Sequence, residues 1–269
     1  MQESYSLIND APFMAFLVAL ATLIAATLGI GIGYYVVNKQ SKKYMRKAFG
    51  WPGFCLFGCI GTIVHELSHL LVSLLFFHVP TKVQLFRPVL GQVDGILGMV
   101  EHSYKPTRYR KAGNFFIGCA PMMAGAWITV MLLRFVNIDM FAIIDLLKEK
   151  QWQQVLEVIK GVPIITESGL SWNVAAILFV VFSILINMDM SKKDYQSSMM
   201  GSVPLIVFAV ITYWSMRIFN HNDIASKFAD FVAVHIMVLL SGLLLCTAVM
   251  VLNFGISRVV KVVKGVLRH

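Results

Sequence analysis

From Phe13 to Asn38 the chain runs for 26 residues without a charged side chain. A helix needs about 20 apolar residues to cross the hydrocarbon core of a bilayer, so this run alone can span one. It is too long for a signal peptide and no basic stretch precedes it, so it reads as a retained span. Further apolar segments cover 51–78, 113–136, 169–188, 202–219 and 229–255. The fifth is the weakest. Its clean core is Val203 to Met216, and Arg217 must snorkel at its end. Only 14% of residues are charged and 58% are hydrophobic. A soluble domain carries nearer a quarter charged residues, which excludes a water-soluble globule, and the apolar content excludes a disordered chain. Four cysteines in 269 residues are too few for a secreted disulfide scaffold. Cys55, Cys59, Cys119 and Cys246 lie in apolar runs and form no CxxC pair, so they read as small hydrophobes. The expected fold is an all-α polytopic membrane protein, a single membrane domain over 1–269 with about six transmembrane helices. The net charge of +9 calls for no nucleic acid, because the basic residues flank apolar runs as membrane-surface anchors do.

The segments between the spans are informative. Lys39, Lys42, Lys43, Arg46 and Lys47 form a basic collar after the first span. The stretch 80–112 has strand character. Its Asp94-Gly95 pair, set between Gln92-Val93 and Ile96-Leu97, signals a β-hairpin turn. The stretch 139–160 is a candidate interfacial amphipathic helix, with Phe141, Ile144, Leu147, Trp152, Leu156 and Ile159 at three- to five-residue steps. In the tail, 257–269, Arg258, Lys261, Lys264 and Arg268 fall on one face of a basic, surface-lying helix.

The second span carries the chemistry. It reads Gly61-Thr62-Ile63-Val64-His65-Glu66-Leu67-Ser68-His69 and so contains His-Glu-x-x-His. On a helix, two histidines four residues apart project from one face. Both imidazoles can then bind one Zn²⁺, and Glu66 can take a proton from water activated there. With 7 His in the chain, chance placement gives roughly 0.004 such matches. Three ionisable side chains in an apolar helix, at about 3 kcal/mol each on insertion scales, need a compensating partner. The bland alternative is a hydrogen-bonded polar cluster, as in a proton-coupled transporter. A catalytic zinc takes three protein ligands and keeps one open position. Asp189 and Asp194, after the fourth span, are candidates for the third. Ser191 followed by Asp194 also resembles a capping box, which gives Asp194 a second reading. His102 can approach from the hairpin. His78, His102, His221 and His235 are all weaker, and His235 reads as a satisfied polar contact.

His65-Glu66-Leu67-Ser68-His69 in a membrane span, followed by a strand-like segment, resembles the site-2 protease family of intramembrane zinc metalloproteases. Gly118-Cys119-Ala120-Pro121 is similar to that family's Gly-Pro element, and Asn187 followed by Asp194 to its asparagine-to-aspartate element. The resemblance covers about residues 55–200, and the catalytic core it implies is 51–200. It implies His65, His69 and Asp194 as zinc ligands, Glu66 as catalytic base, and a membrane-associated sheet after the motif helix. The asparagine-to-aspartate element departs from the family: no proline follows Asn187, Tyr195 stands where a glycine is usual, and the spacing is one residue shorter. Asp189 therefore stays open as the third ligand.

A protease must unwind a helical substrate, and an exposed sheet edge can capture the unwound stretch. The expected edge strands are Val83 to Phe86 and Leu97 to His102. Met99 and Val100 are then expected substrate-binding positions, and Asn187 a residue that positions substrate or the oxyanion. The expected activity is hydrolysis of a peptide bond in or near a transmembrane segment. The expected partners are a transmembrane protein or peptide and the lipid bilayer, and the expected location is a bacterial inner membrane. Two rivals remain. A prenyl-protein-processing type of zinc protease would draw a glutamate ligand from Glu149, Glu157 or Glu167. A transporter or scaffold would bind metal without proteolysis. With six spans, Lys and Arg divide 12 to 11 between the two sides, which cannot orient the chain.

Overall fold

The computed structural model describes residues 11–166, 169–218 and 223–266. It is mainly helical. Eight helices run in chain order: α1 Ala11–Leu75, α2 Pro88–Asp94, α3 Arg108–Arg134, α4 Met140–Lys148, α5 Trp152–Lys160, α6 Trp172–Leu185, α7 Lys192–Ile218 and α8 Ile224–Val266. Strands β1 Val79–Gln84 and β2 Met99–Ser103 pair antiparallel, as do the short β3 Ile165–Thr166 and β4 Gly169–Leu170. Among the described residues, four helices are long and apolar enough to cross a membrane: α1, α3, α7 and α8.

The expected six spans are redistributed. The first two lie in α1, which breaks at Gly50, where φ is 68. Glycine enters this left-handed region without the penalty a Cβ would bring. Pro52 then opens the second arm, at a position where its missing N–H costs nothing. The fourth expected span holds only a 14-residue helix, α6. At 1.5 Å per residue α6 is about 21 Å long, short of a bilayer core of about 30 Å.

The packing shows how α6 and α7 share one course. Gly125 of α3 sits against Ile184 and Met188, Gly118 against Asp194 and Ser198, and Gly201 against Phe115. Tyr109 meets Phe208 with ring centroids 6.0 Å apart. As α3 descends in number, the partner rises steadily through the end of α6 and on along α7. The two helices therefore run in the same direction, interrupted at 186–191, and the expected fourth and fifth spans do not alternate. The first arm of α1 lies parallel to α8. Phe16 packs on Phe228, Leu23 clusters with Val232, and Asn253 donates to Ser41 at 2.8 Å.

Three local expectations are also corrected. Asp94-Gly95 does not turn a hairpin. Asp94 ends α2, and Gly95 caps it with φ 78 and an N–H bonded to the Gly91 carbonyl. The strands it was to join lie further apart, with Val83 opposite Val100 and Gln84 opposite Met99. The stretch 139–160 is two helices, parted near Lys150, where φ is 58. Trp152, Leu156 and Ile159 of α5 are exposed. The basic tail is no separate element, because its described part continues α8 as far as Val266.

Candidate metal centre

Helical spacing puts His65 and His69 one turn apart on the second arm of α1, with ring centroids 5.0 Å apart. Their outer nitrogens are both anchored. His65 Nδ1 lies 2.7 Å from the Asn187 carbonyl oxygen, and His69 Nδ1 lies 2.8 Å from that of Ile117. A carbonyl only accepts, so each Nδ1 carries the hydrogen and each Nε2 keeps its lone pair. This is how metal-binding histidines are commonly held.

Both carbonyls are available for physical reasons. Ile117 lies four residues before Pro121, which has no N–H to return to it, so the normal helical bond of α3 is missing there. Asn187 lies in the interruption between α6 and α7, just past a helix end whose last carbonyls lack intrahelical donors. Its side-chain Nδ2 donates to the Gly58 and Ser183 carbonyls, each at 3.2 Å, and so staples the interruption to α1.

Asp194 is placed for both of the roles open to it. Its Oδ2 accepts from the Ser191 N–H at 2.8 Å while its own N–H donates to Ser191 Oγ at 3.1 Å, which caps α7. Its Oδ1 is free for the site and lies 3.6 Å from His69 Nε2. The close approach of α3 and α7 at Gly118 sets its depth, since a Cβ there would meet the Asp194 carbonyl oxygen at 2.2 Å. Asp189 is engaged elsewhere, because its Oδ1 pairs with Lys42 Nζ at 2.5 Å.

Among the described residues, the group able to hold a metal ion is His65, His69 and Asp194, with ligand atoms all within 4.8 Å of one another. Two imidazoles and a carboxylate suit a divalent metal with one position left open. The His69–Asp194 separation fits the ligand–ligand edge of roughly 3.4 Å expected of a tetrahedron with bonds of about 2.1 Å.

Glu66 is buried beside the triad and is not one of its ligands. A cavity of about 440 Å³ joins Glu66, the triad and the inner face of 95–101, which includes Met99 and Val100. The Val100 N–H is directed at the Glu66 carboxylate. Leu97 faces the other way, because its carbonyl accepts from the Arg87 N–H. Alternation then turns Met99 toward β1 and leaves Gly98 and Val100 facing the cavity. A Cβ on Gly98 would meet Glu66 Cγ at 2.5 Å, so this glycine admits the carboxylate.

His102 is not part of the triad. His78 Nε2 bonds the Arg110 carbonyl at 2.9 Å, which makes His78 Nδ1 the acceptor for His102 Nδ1, also at 2.9 Å. Burial, then His78, His69 and Lys193 nearby, push the His102 pKa down to about 4. Burial lowers that of His78 as well. His235 accepts from Trp127 Nε1 at 3.3 Å through Nδ1, but its Nε2 is buried without a partner, so the expected polar contact is only half satisfied. Glu149 caps the end of α4, where its carboxylate accepts from Gln151, and Glu157 of α5 pairs with Lys160 at 2.9 Å. Glu167, His221 and Arg268 lie outside the described residues. The sequence reading ranked His78 as a weak candidate and passed over Gly98 and the Ile117–Pro121 relation. Of these, only the proline rule was open to inspection without a structure.

Comparison with protein-family models, with curated proteins and with solved structures found no match to the chain.

Proposed function

We propose that the protein is an intramembrane zinc metalloprotease, of the kind its sequence resembles, and that it cleaves a membrane protein in or next to a transmembrane segment. The observation that carries the reading is the pairing of two functions in one cavity. Three candidate ligand atoms converge, and a carboxylate outside that group stands beside them, bordered by the half-buried strand β2. A site that only stored or passed metal would have no use for the second carboxylate or for the strand.

Zinc, when bound by His65, His69 and Asp194, supplies an activated water and polarises the scissile carbonyl. Glu66 takes the proton of the attacking water and returns it to the leaving amine. Strand β2 pairs through Val100 with a stretch of substrate drawn out of its helix, holding the scissile carbonyl beside Glu66. Asn187 acts from behind as a positioning residue, since its carbonyl orients His65 and its amide fixes the interruption. A bacterial inner membrane is the location that goes with this reading.

The test is a paired measurement on wild type and Glu66→Gln. The substitution keeps size and hydrogen bonding but removes the base. Zinc content should stay near one per chain while cleavage of a single-span substrate falls by about 10²–10⁴-fold. A wild type that cuts no membrane substrate, together with a mutant that alters metal flux into liposomes, would replace the protease with a transporter.

A further inference from the structure

A second charged cavity lies beside the metal centre, on the neighbouring face of the same turns of α1. Lys42 and Arg46 line the metal cavity, whereas Lys43 and Lys47 line a cleft of about 760 Å³ between α1 and the end of α8. From α8 the cleft takes Arg258, Lys261 and Lys264. No carboxylate lines it. Among the described residues none of these five cations has an acidic partner, whereas Lys42, one residue from Lys43, pairs with Asp189. Five like charges converging without a counter-charge repel one another, and an anionic ligand relieves that repulsion.

The cleft has a built floor. Tyr44 meets Phe254 edge-on with centroids 5.1 Å apart, and Arg258 lies over the Phe254 ring at 5.2 Å. One turn deeper, the buried Ser41–Asn253 hydrogen bond fixes the spacing of the two helices. The cleft's level is set by the parallel course of α1 and α8. Both helices leave their charge-free stretches together, α1 after Asn38 and α8 at Arg258. Toward the apolar side the same faces carry the exposed Val36, seven residues before Lys43, and the exposed Val251, seven before Arg258. The site is thus cationic above and greasy below, at the edge of the apolar zone.

We propose that this cleft binds the headgroup of an anionic phospholipid, with its acyl chains along the apolar flanks of α1 and α8. Basic pockets between membrane helices are suited to such headgroups. The apolar flanks favour a lipid over a soluble phosphate, to which they offer nothing. The inference does not rest on the protease reading, and its test uses neither zinc nor cleavage.

The full chain is reconstituted in nanodiscs of phosphatidylcholine alone, or of equal parts phosphatidylcholine and phosphatidylglycerol. Lipid retained after extraction is read by native mass spectrometry. Wild type should retain phosphatidylglycerol selectively. Each lining charge is worth about fivefold in affinity, so Lys261→Gln with Lys264→Gln should lose roughly 25-fold. Arginine at the same two positions should keep the binding. Lys105→Gln with Lys111→Gln, an equal loss of charge at exposed sites outside the cleft, should leave it unchanged. Equal loss in that control pair would mean diffuse surface charge and would overturn the site. So would retention of both lipids alike. Displacement of the lipid by inorganic phosphate at matched concentration would assign the cleft to a soluble anion instead.

Discussion

His65 and His69 sit one turn apart and look interchangeable, yet two different regions hold them. His69 leans on α3, where Pro121 frees the Ile117 carbonyl within a continuous helix. His65 leans on the interruption between α6 and α7, where Asn187 lies past a helix end. A proline keeps its carbonyl free whatever surrounds it. A helix end keeps its own free only while neighbouring contacts hold the chain open, here the Asn187 amide on Gly58 and Ser183. One support is covalent in origin and the other is tertiary.

The largest effect should come from removing the proposed ligands that both supports serve. His65→Ala, His69→Ala or Asp194→Ala should each weaken zinc binding more than about 100-fold, beyond the range for an outer partner. Asp189→Ala should stay well below that, since its partner is Lys42. Isothermal titration with zinc would rank them, and an Asp189 effect larger than that of Asp194 would move the third ligand.

Next come the supports themselves. Pro121→Ala returns an N–H to Ile117 and divides that carbonyl between two donors, so zinc affinity should fall about tenfold. Thermal stability should rise at the same time, because proline inside a helix is costly. Asn187→Ala should also cost about tenfold in affinity, but with a loss of stability, because the staple goes too. Equal stability changes of one sign would erase the distinction between the regions.

Proline on β2 sharpens the substrate side of the picture. Val100→Pro removes the cavity-facing N–H and should lower cleavage about tenfold with zinc retained. Met99→Pro should instead weaken the pairing with β1 and show chiefly as lost stability. The reverse pattern would mean that the strand is turned the other way.

The smallest effect concerns pH. His78 and His102 are held neutral in the fold, with His102 down to about 4 against an unfolded value near 6.5. Between these values the unfolded chain binds more protons, so stability falls as pH drops through that window and is full above it. Protection factors at β1 and β2, taken against the intrinsic exchange rate at each pH, should fall from pH 7 to pH 5, and His102→Gln should blunt the change.

Much of this was readable in the residues. The motif His65-Glu66-x-x-His69 declares its geometry because helical spacing is local, and Ser191 with Asp194 announced a cap. Asp194 was ambiguous because its surroundings depart from the family pattern and because its capping reading competed with its ligand reading, whereas its Oδ2 caps α7 and leaves Oδ1 facing the site. The span count was not readable. Hydropathy registers the apolar content of 169–188 and 202–219 but not their direction, which depends on close approaches at Gly118, Gly125 and Gly201. Asp94-Gly95 misled for a similar reason. The dipeptide favours any left-handed cap, and the preceding Pro88–Asp94 turn makes it the end of a helix.

The parallel pairing of α1 with α8 has a consequence for manufacture. The ribosome makes α1 first and α8 last, and chains fold from the N-terminus as they emerge. Phe16, Leu23 and Ser41 therefore wait until all the intervening helices have been made before Phe228, Val232 and Asn253 arrive. Until then the first arm is a long apolar rod without its mate, exposed to capture by other newly made helices. A stop codon before Ile224 would leave the metal ligands intact in the gene and strand that rod permanently. The truncated product should be cleared by quality-control proteases even though every residue of the triad has been made.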